Sequence, residues 1–161
     1  MLYNRKYYKM PKINKENILE TSYQYIAHQT NCVSTNYAGL AKFLFDKYPF
    51  AKTSAQRTNQ AKLGDIDICS DGINNRYIIN MYAQYYPGES KYSNGIDTNV
   101  LRQEAFNHCL DEISLIKNLK EIAFPYFIGC GLAGGNFELY NSYIENFEKK
   151  LPNVQVFYCK I

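Results

Sequence analysis

The chain has 161 residues, 46% of them hydrophobic and 20% charged, with a formal net charge of +3. That length supports one domain with a real core, and the mixture is that of a globular chain, not a disordered one. The mild charge admits an anionic ligand but argues against the concentrated basic face of a typical nucleic-acid binder. No apolar run approaches the length needed to cross a bilayer.

The opening MLYNRKYYKM lacks the apolar stretch of a signal peptide, so a soluble, cytoplasmic protein is expected (host cytoplasm, were the origin viral). Its basic residues Arg5, Lys6, Lys9, Lys12 and Lys15 alternate with Tyr3, Tyr7 and Tyr8, and residues 1–12 read as an edge strand or a flexible arm. SYQYIAH (22–28) predicts a strand, followed by the polar loop QTNCVSTNY. AGLAKFLFDKYP then places Leu40, Phe43, Leu44 and Tyr48 on one helical face, with Pro49 as the stop. GDIDICS (64–70) and RYIINMYAQ (76–84) read as strands around the turn DGINN, and their imperfect alternation suits strands buried on both faces. Asp65 and Asp67 alternate along the first of these, so they face opposite ways, form no catalytic pair, and read as solvated or capping residues.

A long helix is expected to start near Asp97, a candidate N-cap, with Phe106, Cys109, Leu110, Ile113 and Ile116 as its buried stripe. EIAFPYFIG predicts a strand with Pro125 at its end or at a bulge. A second helix follows the cap Asn136, burying Tyr140, Tyr143, Ile144, Phe147 and Leu151, and NVQVFYCKI forms a last strand. Strands thus alternate with helices, which predicts an α/β domain with helices on both faces of a largely parallel sheet. Cys32, Cys69, Cys109, Cys130 and Cys159 show no CxxC spacing, so they read as reduced thiols. With only His28 and His108 to join them, no metal site is expected.

In such sheets, ligands bind beyond the carboxyl ends of strands, beside the next helix N-terminus. Two loops occupy that kind of place, QTNCVSTNYAGLA and GCGLAGG. The second packs Gly129, Gly131, Gly134 and Gly135 into seven residues. Taken alone, the cluster fits equally a tight strand-to-helix turn and a nest of bare amides for an anion. It is no Walker loop, because no Lys-Ser or Lys-Thr follows, and it comes too late in the chain for a dinucleotide fingerprint.

IAHQTNCVSTNYAGLAKFLFDKYP, followed downstream by FPYFIGCGLAGGNFELYNSYIENF, resembles the macro domain family, which binds ADP-ribose. The likeness runs from Ile13 to Ile161 and implies one domain over residues 1–161, a three-layer α/β/α macro domain with a central mixed, largely parallel sheet. It implies that Tyr37, Ala38, Gly39, Leu40 and Ala41 wrap a diphosphate from one side. Gly129, Cys130, Gly131, Leu132, Ala133, Gly134, Gly135, Asn136 and Phe137 would wrap it from the other, with Asn31 touching the distal ribose. Asn17 and Ile18 of KENILE stand where the family carries an Asp-Ile pair that meets the adenine amino group. Asn17 keeps an acceptor oxygen there without charge assistance. Phe157 and Tyr158 resemble the wall that packs on adenine, and read equally well as core residues.

HQTN, a helix ending in KYP and the GCGL loop look closest to the compact branch of the family, which contains ADP-ribose glycohydrolases and ADP-ribose 1″-phosphate phosphatases. The glycohydrolases use a lysine where this chain has Gln84, and often an acid where it has Ala133, so lysine-dependent deglycosylation loses support. The leading expectation is an enzyme that removes the phosphate from ADP-ribose 1″-phosphate, with His28, Asn31 and Gln84 as catalytic residues; Asn80 and Asn36 are further candidates to orient substrate or water. A strand-end histidine also reads as a structural one. The alternatives are removal of ADP-ribose from a modified protein or nucleic acid, and a non-catalytic ADP-ribose reader. The resemblance implies ADP-ribose or ADP-ribosylated macromolecules as partners, a monomer, no membrane, and no cofactor or metal.

Overall fold

The computed structural model describes residues 11–54, 57–90 and 95–161. Six strands and three helices follow in the order β1 (Lys12–Asn17), β2 (Tyr25–Asn31), α1 (Gly39–Lys47), β3 (Ile66–Cys69), β4 (Tyr77–Gln84), α2 (Asn99–Ser114), β5 (Glu121–Pro125), α3 (Phe137–Lys150) and β6 (Gln155–Lys160). They build one sheet in the order β1-β6-β5-β2-β4-β3. Every neighbouring pair is parallel except β3 with β4.

Alternation along the central strands splits the core into two layers. Ala27 of β2, Ile79 and Met81 of β4 and Phe124 of β5 pack under α2 and α3 with Phe106, Ile113, Ile144 and Phe147. Ile26, Ile78 and Ala123 face the other way, against Leu44 and Phe45 of α1. Helices therefore cover both faces of a mixed, largely parallel sheet, as the α/β reading expects. No helix among the described residues is long and apolar enough to cross a membrane.

Several local expectations need correction. β2 runs on to Asn31 instead of ending at His28, because Gln29, Thr30 and Asn31 continue its ladder with β4. Helix α1 is turned by about one residue: Phe43 is 56% exposed and Phe45 is buried, so the stripe is Leu40, Ala41, Leu44, Phe45 and Tyr48. β3 is an antiparallel edge strand, and its Ile68 is 47% exposed, so of these two strands β4 alone is buried on both faces. Thr98, not Asp97, caps α2, its side chain accepting from the Leu101 amide. Ile116 lies beyond that helix, which ends at Ser114. Asp67 is partly buried and fully engaged: it pairs with Arg57 at 2.6 Å and accepts from the Thr53 and Tyr82 hydroxyls.

Pro125 closes β5, an end position that loses no ladder bond it would have to donate. The edge position is filled by β1, read from the sequence as the adenine-binding segment and as part of the N-terminal arm. The rest of that arm, residues 1–10, lies outside the described residues. All five cysteines are free.

Candidate functional site

β2 and β5 are neighbours, but the chain leaves them in opposite directions, through α1 on one face and α3 on the other. That divergence opens a crevice at the carboxyl edge of the sheet. A cleft of about 420 Å³ fills it. Its floor is His28, Gln29, Thr30 and Asn31 at the end of β2, with Gln84 from β4. One wall is Ser34 and the segment Asn36 to Ala41; the other is Phe127, Ile128, Gly129, Gly131, Leu132 and Ala133. Pro87 and Gly88 close one end, Pro125 and Ile161 contribute apolar surface, and no Asp, Glu, Lys or Arg among the described residues lines the space.

The glycine loop divides its labour by residue. Cys130 donates its amide to Phe127, Gly134 to Gly131 and Gly135 to Gly129, which winds the segment into consecutive tight turns. The amides of Gly131, Leu132 and Ala133 are left in succession with no acceptor among the described residues. A Cβ on Gly135 would fall 2.4 Å from the Gly129 carbonyl, and one on Gly129, at φ +75°, would fall 2.7 Å from the Tyr140 ring. Gly131 would meet nothing within 4 Å. So Gly129 and Gly135 are packing glycines, while Gly131 keeps a bare amide open to the cleft. The tight turn is present, and the three amides without an acceptor have the form that an anion nest requires.

Opposite this loop, α1 begins without a side-chain cap, whereas Thr98 and Asn136 cap α2 and α3. Its first amides, at the positive end of the helix dipole, therefore need an acceptor from outside the helix. The two walls nearly touch: a Cβ on Gly39 would lie 3.2 Å from Leu132 Cδ1.

The floor is polar and tied down. Asn31 Oδ1 accepts from the amides of Val33 (3.1 Å) and Ser34 (2.7 Å), which shapes the loop after β2 and leaves Nδ2 as a donor for a ligand. Gln29 Nε2 donates to Gln84 Oε1 at 2.8 Å, and Gln84 Nε2 donates to the Tyr86 carbonyl at 2.9 Å. The β2–β4 register shifts by one residue between Thr30 and Asn31, a bulge that re-aims Gln84.

His28 is 1% exposed. Asn80 Nδ2 donates to the Ala51 carbonyl, so its Oδ1 faces His28 Nε2 at 2.7 Å and that nitrogen carries the proton. The other nitrogen, Nδ1, is buried with no partner. Burial drives the ring pKa from 6.5 down to about 4, against the opposing Asn80 bond, so His28 is neutral at pH 7. In this arrangement Nε2 is committed to Asn80 and Nδ1 is buried, so neither nitrogen is offered at the surface of the cleft.

No protein-family model and no curated protein matches the chain. Solved structures do. The macrodomain of Thermus aquaticus DarG superposes with a TM-score of 0.71 and 21% identity, covering 94% of this chain and 98% of that one. The macrodomain of Mycobacterium tuberculosis DarG gives 0.70 at 18% identity over the same shares. Thermosipho africanus DarTG in complex with ADP-ribose gives 0.65 at 14% identity, over 86% of this chain and 38% of that one.

The chain has the macrodomain fold.

Within this fold, the cleft collects His28, Asn31, Gln84, the segment from Tyr37 to Ala41, and Gly129, Gly131, Leu132 and Ala133 from the residues expected on sequence grounds. It does not collect the rest. Asn17 spends its side-chain oxygen on the Leu19 amide, and Ile18 is wholly buried in the layer under α1. Cys130 points its thiol at the Ile128 carbonyl. Gly134 packs on Glu89, Asn136 caps α3, and Phe137 joins the rings of Tyr126 and Phe127.

Tyr158 is buried under α3, with its hydroxyl donating to Asn141 Oδ1 at 2.6 Å; Phe157 faces the other layer, stacked on Tyr23. Neither lines the cleft. The apolar surface comes instead from Phe127, Pro125 and Ile161, which, with Pro87 and Gly88, no local pattern singled out. Alternation along the last strand could have warned that Phe157 and Tyr158 face opposite layers.

Proposed function

We propose that this macrodomain binds ADP-ribose in the cleft at the carboxyl edge of its sheet. One observation carries the reading: two opposed walls present bare backbone amides, Gly131 to Ala133 on one side and the uncapped start of α1 on the other, around a space that no charged side chain among the described residues lines. Amides of that kind suit a diphosphate, which needs donors from both sides. Asn31 Nδ2 at the floor suits a ribose hydroxyl, and the half-exposed Phe127 and Ile161 suit a base. A solved macrodomain neighbour, that of Thermosipho africanus DarTG, is a complex with ADP-ribose. ADP-ribosylated macromolecules are ligands of the same class.

Removal of the phosphate from ADP-ribose 1″-phosphate is the second reading. It rests on His28, whose Nδ1 lone pair lies unpaired beneath the floor. A ring rotation bringing it to a bound water would supply a base. Cleavage of a glycosidic bond has less support, because the Gln84 amide is held by Gln29 and Tyr86 and Ala133 offers no acid.

Calorimetry decides the first reading: ADP-ribose should bind well above AMP, and no heat with ADP-ribose would sink it. Phosphate release from ADP-ribose 1″-phosphate decides the second. Wild type must exceed both His28→Ala and Asn31→Ala; equal, slow release in all three leaves a binder.

A further inference from the structure

Behind the cleft lies a buried ion pair that the ligand reading does not use. Arg102 of α2 and Asp97 are 2% and 0% exposed in their side chains, with Nη2 and Oδ2 2.6 Å apart. Asp97 Oδ1 accepts from the Tyr85 amide and from Arg102 Nε at 2.8 Å; Oδ2 accepts from the Tyr86 amide and from Nη2. Arg102 then spends its remaining donors on three carbonyls: Gly88 at 2.8 Å and Ala133 at 3.2 Å from Nη1, and Tyr86 at 3.3 Å from Nη2. Each acceptor lies in a loop, and two of them, Gly88 and Ala133, line the cleft.

A buried pair is by itself weak evidence for stability, since desolvating two charges costs about what their attraction returns. What this pair does that two apolar side chains cannot is hold backbone. The planar fork of an arginine reaches several acceptors at once, in directions a lysine cannot reproduce. Here it joins the segment after β4 to the segment after β5, across the carboxyl edge of the sheet. The Ala133 carbonyl it grips belongs to the last residue of the bare-amide run Gly131 to Ala133. With that carbonyl turned inward to Arg102, the run is fixed before any ligand arrives, and preorganised donors bind an anion without an ordering cost.

We infer that Arg102, anchored by Asp97, is the positioning residue for the anion-binding amides of the glycine loop. The inference rests on the diphosphate reading of the cleft. Arg102 touches no ligand and acts only through Ala133 and Gly88.

The test compares ADP with adenosine on the full chain by calorimetry, together with amide hydrogen exchange. Arg102→Lys removes the fork and keeps the charge. The double variant Arg102→Met with Asp97→Asn removes both charges, so no ion stays buried alone. If the pair positions the loop, both variants bind ADP at least tenfold more weakly and adenosine within twofold of wild type. Exchange then rises at Gly88 and at Gly129 to Gly135 but not in β2 or β4.

ADP affinity kept within twofold overturns the inference. So does an equal loss for adenosine, or exchange that rises uniformly, because either marks general damage. Should a variant fail to fold, the wild type still decides: the Arg102 Nε–H resonance must shift with ADP and stay put with adenosine. If wild type binds neither ligand, the reading of the cleft falls, and the exchange pattern alone judges Arg102.

Discussion

Lowering the pH from 7 to 5 should destabilise this protein through His28. The ring is buried, one nitrogen is bonded to Asn80, and burial holds its pKa at about 4 against an ordinary 6.5. In the unfolded chain the ring takes up a proton as the pH falls through 6.5; in the folded chain it resists until about 4. The depressed folded value therefore means stability that is complete above 6.5 and lost progressively between 6.5 and 4. At pH 5 the fall covers roughly 1.5 pH units below the unfolded value, and at ~1.36 kcal/mol per unit the loss is about 2 kcal/mol.

Urea unfolding of wild type and His28→Asn at both pH values measures it. The variant keeps His108 and every carboxylate, so it carries all other pH effects. Wild type should lose about 2 kcal/mol more than the variant between pH 7 and 5. Equal losses would refute the reasoning: His28 would then be hydrated and free to titrate, and a catalytic role for it would regain ground.

The glycines offer a paired test. Gly131→Val should leave the melting temperature almost unchanged, since a Cβ there meets nothing within 4 Å, yet abolish ADP-ribose binding. Gly135→Ala should instead destabilise the fold, because its Cβ would stand 2.4 Å from the Gly129 carbonyl; equal stability for the two variants would undo the division between packing and binding glycines. Tyr158→Phe removes the hydroxyl bond to Asn141 and should cost about 1 kcal/mol in denaturation, with ADP-ribose affinity unaltered in calorimetry. A drop in affinity would return Tyr158 to the ligand wall.

Much of the architecture was legible along the chain. Apolar periodicity located α2, α3 and the central strands, and Asn136 marked the start of α3, because those signals are local and the elements are long or wholly buried. The glycine cluster and the polar segment leading into α1 were recognisable as candidate ligand loops for the same reason: missing side chains are a property of the residues themselves.

What escaped was set by contacts between distant segments. Whether Phe43 or Phe45 faces the sheet depends on how α1 is rolled on it, since both lie near the apolar stripe. His28 looked available at a strand end; only the approach of Asn80 and Ala51 seals it and fixes its tautomer. Phe157 and Tyr158 read equally as an aromatic wall and as core residues; the pleat sends them to opposite layers of the core.

The sequence by itself determined the order of elements, the two anion-ready loops and the absence of a lysine and an acid at Gln84 and Ala133. Only the tertiary structure decided which amides stay bare, which glycines pack, and that Arg102 reaches Ala133 across 31 positions, because hydrogen-bond partners so far apart in sequence exist only once the sheet has brought them together.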